Sequence, residues 1–294
     1  LVGIHEVTKR FGNLVAVDRV DLDVRASEVH AILGENGAGK TTLMNVLTGL
    51  LKPDSGRIFL DGSEVSISSP RKALELGIGI VHQHFRLVEN FTTAENLHLG
   101  WNETPRLAGN KDLVERTVSL AEQFDLDVDP TARIWQMSVG EQQRVAILRT
   151  LARGARVLIL DEPTAVLTPA EADRLFEMLR GLALGTQRAV IFISHKLNEV
   201  IAVSDRVTVL RAGKRVDTME TADCNQELLA QMMIGRHLGT RPAPPAKELG
   251  AAVLVARKIS ARNDRGVSAL EDLDLELRSG EIVGVAGVAG NGQR

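Results

Sequence analysis

Residues Gly34–Thr42 read GENGAGKTT, and their reading decides the fold. The aliphatic run Glu28–Leu33 (EVHAIL) ahead of them reads as a strand, and Lys40–Leu51 after them reads as a helix stopped by Pro53. Strand, glycine-rich turn fitting G-x-x-x-x-G-K-[ST] and helix make up the context of a phosphate-binding loop. In such a loop the N–H groups of Gly34, Glu35, Asn36, Gly37, Ala38 and Gly39 curl around phosphate oxygens, and the helix N-terminus adds a favourable dipole. Lys40 is expected to reach the β- and γ-phosphates, Thr41 to hold Mg2+ and Thr42 to complete the phosphate cradle. A glycine turn before an ordinary helix is the competing reading, and the strand–turn–helix order argues against it.

Working outward, the chain alternates short aliphatic runs with amphipathic helical ones, which implies a parallel α/β sheet. Ile78–His82, Val157–Leu160, Arg188–Ser194 and Arg206–Leu210 read as strands; Leu197–Val203 reads as a helix. Thr168–Leu184 reads as a longer helix, with Thr168 as N-cap, Pro169 at the first helical position and Glu171 closing a capping box. Asp112–Phe124 has apolar residues at helical spacing, while Leu1–Val24 and Arg57–Leu60 look like antiparallel β. Val157–Glu162 (VLILDE) is a buried-type strand ending in two acids. Asp161 at its tip suits a role in organising Mg2+, and Glu162 suits a general base that polarises water. A pair of helix-capping acids is the plainer reading of the same two residues.

Composition narrows the class. The chain has 294 residues, 44% of them hydrophobic, and a formal net charge of −3. Disorder requires the opposite balance, no apolar run approaches the ~18 residues of a membrane span, and the charge offers no footprint for nucleic acid. Cys224 stands alone, so no internal disulfide exists, and it reads as unpaired and non-catalytic. Apart from the candidate discussed below, the histidines show no spacing that fits metal ligation. Aromatic residues are scarce, and tyrosine is absent.

A repeat sets the domain organisation. Val17–Arg25 (VDRVDLDVR) aligns with Leu270–Arg278 (LEDLDLELR), Glu28–Leu33 with Glu281–Ala286, and Gly34, Gly37 and Gly39 with Gly287, Gly290 and Gly292, all at one constant offset. The expected layout is a first domain over residues 1–235, a Gly/Pro-rich linker over 236–250 and the β-rich opening of a second copy over 251–294, in a chain that reads as a piece of something longer. Lys40 becomes Gln293 at the same offset, and a neutral amide cannot neutralise phosphate charge as an ammonium does.

Met137–Arg144 (MSVGEQQR) resembles the signature motif of ABC ATPases, departing from it at Val139 and Glu141. Ser138 and Glu141 also fit an ordinary capping box at a helix start. Lys40, Gln83, Ser138, Glu162 and His195 follow the order of that family's motifs. The resemblance implies an α/β, P-loop ABC-type ATPase domain with an antiparallel β subdomain and a helical subdomain at about residues 85–155, followed by the first strands of a second copy. It implies Gln83 as the Q-loop glutamine that links the metal and water to a transport partner, and His195 as the switch histidine at the γ-phosphate. It implies that Ser138, Val139, Gly140 and Glu141 face the ATP of the opposite domain, and that Phe11, in a chain without tyrosine, is the adenine platform. The family's D-loop aspartate is missing: Ala165–Thr168 reads AVLT.

Tandem domains in one polypeptide resemble the ATP-binding subunits of importers for simple sugars and nucleosides. Val81–Gly100 (VHQHFRLVENFTTAENLHLG) and Gly284–Arg294 (GVAGVAGNGQR) are similar to the nucleoside branch; Asp161–Pro169 (DEPTAVLTP) is shared by both. That resemblance implies ATP and Mg2+ as cofactors, and a cytoplasmic protein peripheral on the inner face of the membrane. Its transmembrane permease partners are expected at His84–Gly100, around Phe85, Leu87 and Phe91, with a substrate-binding protein acting indirectly. The alternatives are a sugar importer of the ribose or galactose type and, less well supported by the charge, a tandem ABC ATPase acting on ribosomes or DNA. A P-loop kinase gives no reason for MSVGEQQR or the repeat.

Overall fold

The computed structural model describes residues 1–105, 108–235, 249–262 and 268–286. The chain divides into two compact units, Leu1–Leu238 and Gly239–Arg294. In the first, β1 (Val2–Phe11) and β2 (Leu14–Val24) form an antiparallel hairpin. Val17 and Val20 are both buried although their spacing breaks the period of two. A bulge restores the phase: Val7 pairs with Val20 and Lys9 with Val17, and Arg19 takes a left-handed φ of +47°.

The chain then enters β3 (Val29–Leu33), buried along its whole length, and α1 (Lys40–Leu47). The helix is shorter than the expected Lys40–Leu51. The Thr48 hydroxyl donates to Met44 O at 2.9 Å and the Leu51 N–H turns back to Asn45 O at 3.0 Å, so helix-end carbonyls are satisfied well before Pro53. Next come β4 (Ser55–Leu60), β5 (Ser63–Val65), α2 (Pro70–Glu75) and β6 (Ile78–Val81). Strands β2-β1-β4-β5 make a four-stranded antiparallel sheet.

Within the expected helical subdomain lie α3 (Thr93–His98), α4 (Asn110–Gln123) and α5 (Val139–Ala152). Helices α2 and α3, six residues each, are too short to show periodicity, and their N-caps Ser69 and Thr92 define them instead. The core resumes with β7 (Val157–Asp161), α6 (Pro169–Ala183), β8 (Ala189–Ser194), α7 (Leu197–Val203), β9 (Arg206–Arg211), β10 (Lys214–Glu220) and α8 (Gln226–Ile234). The Thr168–Glu171 capping box opens α6 as the sequence suggests. The second sheet runs β10-β9-β3-β8-β7-β6, parallel except for β10. Alternate residues of its central strands serve two cores: Leu33, Leu160 and Phe192 pack with α5 and α6, and Ile32, Ile159 and Ile191 pack with α1.

The second unit is a hairpin of β11 (Ala252–Arg262) and β12 (Ser268–Arg278). It reproduces the bulges of the β1–β2 hairpin and several of its side-chain hydrogen bonds. Asp21 Oδ1 accepts the Glu6 N–H at 2.9 Å, and Asp274 Oδ1 accepts the Lys258 N–H at 2.8 Å. Arg19 and Asp272 occupy the same left-handed bulge position, at φ +47° and +49°. Glu28 and Glu281 accept the N–H groups of Arg25 and Arg278. The copy stops short of its next strand: Glu281–Ala286 is not a strand, and Ile282 is 98% exposed. Its counterpart β3 draws its hydrogen bonds from β8 on one side and β9 on the other, and no such neighbours flank 281–286 among the described residues. Gly287–Arg294, with Gln293, and residues 236–248 of the linker lie outside the described residues.

Candidate functional site

Four residues meet where the parallel strands end. Asp161 closes β7 and pairs with Ile193 of β8, so Glu162 and His195 emerge side by side. The Glu162 N–H donates to Ile193 O at 3.1 Å, and Glu162 Oε1 lies 3.0 Å from His195 Nδ1. Lys40 comes from the loop after β3 and is buried to 6% exposure; its ammonium donates to Gly34 O at 2.7 Å and Glu35 O at 3.0 Å. This is the carboxyl edge of an open parallel sheet, where ligands of such folds bind.

The loop needs glycine at two places. At Gly34 a Cβ would stand 2.5 Å from Leu210 O, so β9 could not approach. Gly39 caps α1 with φ +100°, and a Cβ there would stand 2.5 Å from Ala16 O. The resulting cavity, about 570 Å³, is walled by Phe11, the Asn36–Thr42 loop and Glu162. Leu14, Val15 and Ala16 from β2 and the Ala212–Gly213 turn close the other side. Sequence reasoning missed these walls, because none carries a motif. Gly213 is bolted to the loop by its N–H to Ala38 O at 3.1 Å, and Asp18 N–H binds Gly213 O at 2.8 Å. Phe11 is 47% exposed at the cavity, with Lys9 Nζ 5.8 Å from the ring centroid.

Electrostatics fits an anion site. Burial pulls the Lys40 ammonium below its ordinary pKa, opposed by Glu162 and Asp161. Burial pushes Asp161 up, Glu162 adds to this, and Lys40 opposes it. Glu162 holds a left-handed φ of +46°, a costly conformation for a residue with a side chain. Thr41, in the first turn of α1, lines the cavity and Asp161 closes β7; a hydroxyl and a carboxylate are the oxygen-donor types that Mg2+ takes, few of them from protein. A cation would also relieve the repulsion that raises Asp161.

Of the predicted residues at this edge, Gly34, Glu35, Asp161 and His195 do not line the cavity itself, and two further predicted elements stand apart from it. Gln83 is exposed after β6, on the same sheet edge, since Val81 pairs with Leu160; it does not line the cavity. Ser138, Val139, Gly140 and Glu141 open α5 and do not line it either. There the capping box forms: Ser138 Oγ accepts the Glu141 N–H at 3.3 Å and Glu141 Oε2 accepts the Ser138 N–H at 2.7 Å. These bonds hold the Glu141 carboxyl below its ordinary pKa.

The segment His84–Gly100 is organised by Asn96, whose side chain bonds Val88 N, Val88 O and Thr92 O. Arg149 of α5 and Arg153, its C-cap, donate to Phe85, Arg86 and Leu99 carbonyls. Phe85, Leu87 and Phe91 are half-buried rather than exposed, with Phe85 packed on the main core. The apolar groups that do reach the surface are Val88, Leu99 and, across from Glu89, the 60% exposed Trp135.

The family model described as ABC transporter matches residues 17–165. The chain belongs to the ABC transporter family. The Nucleoside import ATP-binding protein NupA of Lactococcus lactis subsp. cremoris is 48% identical, over 100% of this chain and 58% of that protein. The Glucose import ATP-binding protein TsgD13 of Haloferax volcanii is 46% identical over 99% and 58%, and the Guanosine import ATP-binding protein NupO of Bacillus subtilis 46% over 100% and 58%. The ABC chain thus spans 58% of the length of these relatives. A nucleotide-free ATP-binding cassette from an ABC transporter superposes with a TM-score of 0.67 at 25% identity, covering 80% of this chain and 95% of that one. The structure of cbiO1 from Clostridium perfringens, part of the ABC transporter complex cbiONQ, gives 0.66 at 26%, covering 79% and 92%. Among the described residues of this ABC chain, no helix is long and apolar enough to cross a membrane.

Proposed function

We propose that this chain is the ATP-binding and ATP-hydrolysing part of an ABC importer for nucleosides. The observation that carries the reading is the meeting of Lys40, Asp161, Glu162 and His195 at one sheet edge beside a glycine-lined cavity. Phe11 offers its ring to adenine, the Gly34–Thr42 loop cradles the phosphates and Lys40 neutralises their charge. Thr41, Asp161 and Gln83 are the residues that would hold Mg2+, which would supply further charge neutralisation when bound. Glu162 takes the proton of the attacking water, and His195 orients Glu162 through their hydrogen bond.

Ser138–Glu141 lies away from this cavity, which supports a role toward the ATP of a second domain. The chain alone is therefore expected to bind MgATP and to turn it over slowly. The β11–β12 copy supports a second ABC domain beginning after the 236–250 linker, with Gln293 weakening its loop. Permease subunits dock on the His84–Gly100 segment, which Arg149 and Arg153 tie to the helix that Ser138 opens. A substrate-binding protein acts through those subunits, and the whole works at the cytoplasmic face of the membrane without nucleic acid. Simple sugars are the second reading, favoured by relatives named for glucose and ribose import.

The test is ATPase activity and labelled uptake in proteoliposomes holding the full-length chain with its permease subunits. Stimulation by guanosine or another nucleoside supports the first reading. Stimulation by ribose, galactose or glucose alone replaces it with the second.

A further inference from the structure

Below the Glu162–His195 pair lies a second, buried layer that the proposed chemistry does not use. Glu199, in the first turn of α7, accepts the Thr164 hydroxyl at 2.7 Å and 2.6 Å on its two oxygens. The same carboxylate accepts Ser194 Oγ at 3.2 Å and pairs with Lys196 Nζ at 2.9 Å. Lys196 Nζ also donates to Thr164 O, and Lys196 N–H to Ser194 Oγ. Thr164 and Ser194 are each only 3% exposed.

The connectivity is what matters. Thr164 follows Glu162 by two residues in a turn closed by the Ala165 N–H on Glu162 O. Ser194 immediately precedes His195. One carboxylate therefore grips both chain segments that carry the upper pair. Glu162 sits at φ +46°, a conformation that persists only where its surroundings over-determine it. Its N–H is held from β8, and the turn after it is held by Glu199 through Thr164. A charged acceptor in a shielded site makes stronger and more directional hydrogen bonds than a neutral one.

We propose that Glu199 and Thr164 are positioning residues that set the Glu162 carboxylate against His195 for hydrolysis. The inference rests on the hydrolytic role proposed for Glu162. Neither residue lines the ATP cavity, so their loss acts on turnover and leaves nucleotide affinity in place.

The experiment measures kcat and KM for MgATP on the full-length chain assembled with its permease subunits. The variants are Thr164→Val, Thr164→Ser, Glu199→Ala, the Thr164→Val/Glu199→Ala pair and Glu162→Gln. Thr164→Val, nearly isosteric and free of folding risk from a new charge, lowers kcat about tenfold with KM within about twofold, as expected when a positioning contact is lost. Thr164→Ser restores kcat because it keeps the hydroxyl, and the double variant falls no further than the worse single one. Wild-type kcat in Thr164→Val, no rescue by serine, or fully additive losses overturns the inference. Glu162→Gln reports on the underlying reading: if it abolishes turnover while Thr164→Val does not, only the positioning role fails. If Glu162→Gln itself turns over normally, the hydrolytic reading fails and the inference with it.

Discussion

His195 Nδ1 stands 3.0 Å from Glu162 Oε1, although 33 residues separate them. The contact follows from β7 and β8 being parallel neighbours, with Asp161 opposite Ile193. It joins the strand-end acid to the strand-end histidine at the edge that holds Lys40. Replacing Glu162 with Gln preserves shape and the β8 hydrogen bond while removing the proposed base. MgATP binding by the full-length complex is expected to persist and turnover to fall by about 10² to 10⁴, the range for a lost general base. Equilibrium nucleotide binding alongside steady-state phosphate release checks both halves.

Phe11 borders the cavity with half its surface free, and Lys9 stands over the ring. Phe11→Ala should weaken ATP binding by about 1–3 kcal/mol, the usual worth of one base stacked on a ring. Phe11→Tyr should retain it. The thermal midpoint of the variant without nucleotide should match the parent, since the ring is not part of either buried core. Titration calorimetry with ATP measures the affinity, and an unchanged value removes the assignment.

Glu28, buried just ahead of β3, is expected to make stability sensitive to acid. Burial alone pushes its carboxyl up, but His30, the Arg25 N–H and Arg206 together hold it below the ordinary glutamate value. A carboxylate with a lowered folded pKa stabilises the fold above the unfolded value and loses that contribution as pH falls through the folded one. Glu28→Gln is expected to cost about 3 kcal/mol at pH 7, as when one partner of a buried pair is removed. The gap to the parent should narrow as pH falls below the unfolded glutamate pKa of about 4.3 and on through the lower folded value. Urea unfolding at several pH values tests it.

Ser138 caps α5 through the box with Glu141. Ser138→Ala should lower stability by about 1 kcal/mol, as N-cap losses do. Glu141→Gln keeps an acceptor at the same position, so it should cost less than Ser138→Ala in denaturant unfolding. A larger loss in the glutamine variant would show that the negative charge at the helix start, rather than the hydrogen bond, does the stabilising.

The sequence by itself determined the local parts. The glycine loop ahead of Lys40, the VLILDE strand and the Thr168 and Ser138 caps depend on contacts within a few residues, so their residue types are sufficient evidence. The repeat was equally legible, and the copied Asp274 and Glu281 hydrogen bonds follow from side chains placed at matching positions. Only the tertiary structure decided what meets what. Ala16 and Gly213 wall the cavity, and Thr164 finds Glu199, because β-strands distant in sequence pair as neighbours. The same reason separates β3 from Glu281–Ala286. Both are aliphatic runs after a bulged hairpin, but a central parallel strand takes its hydrogen bonds from two other strands, and among the described residues β3 has them while 281–286 does not.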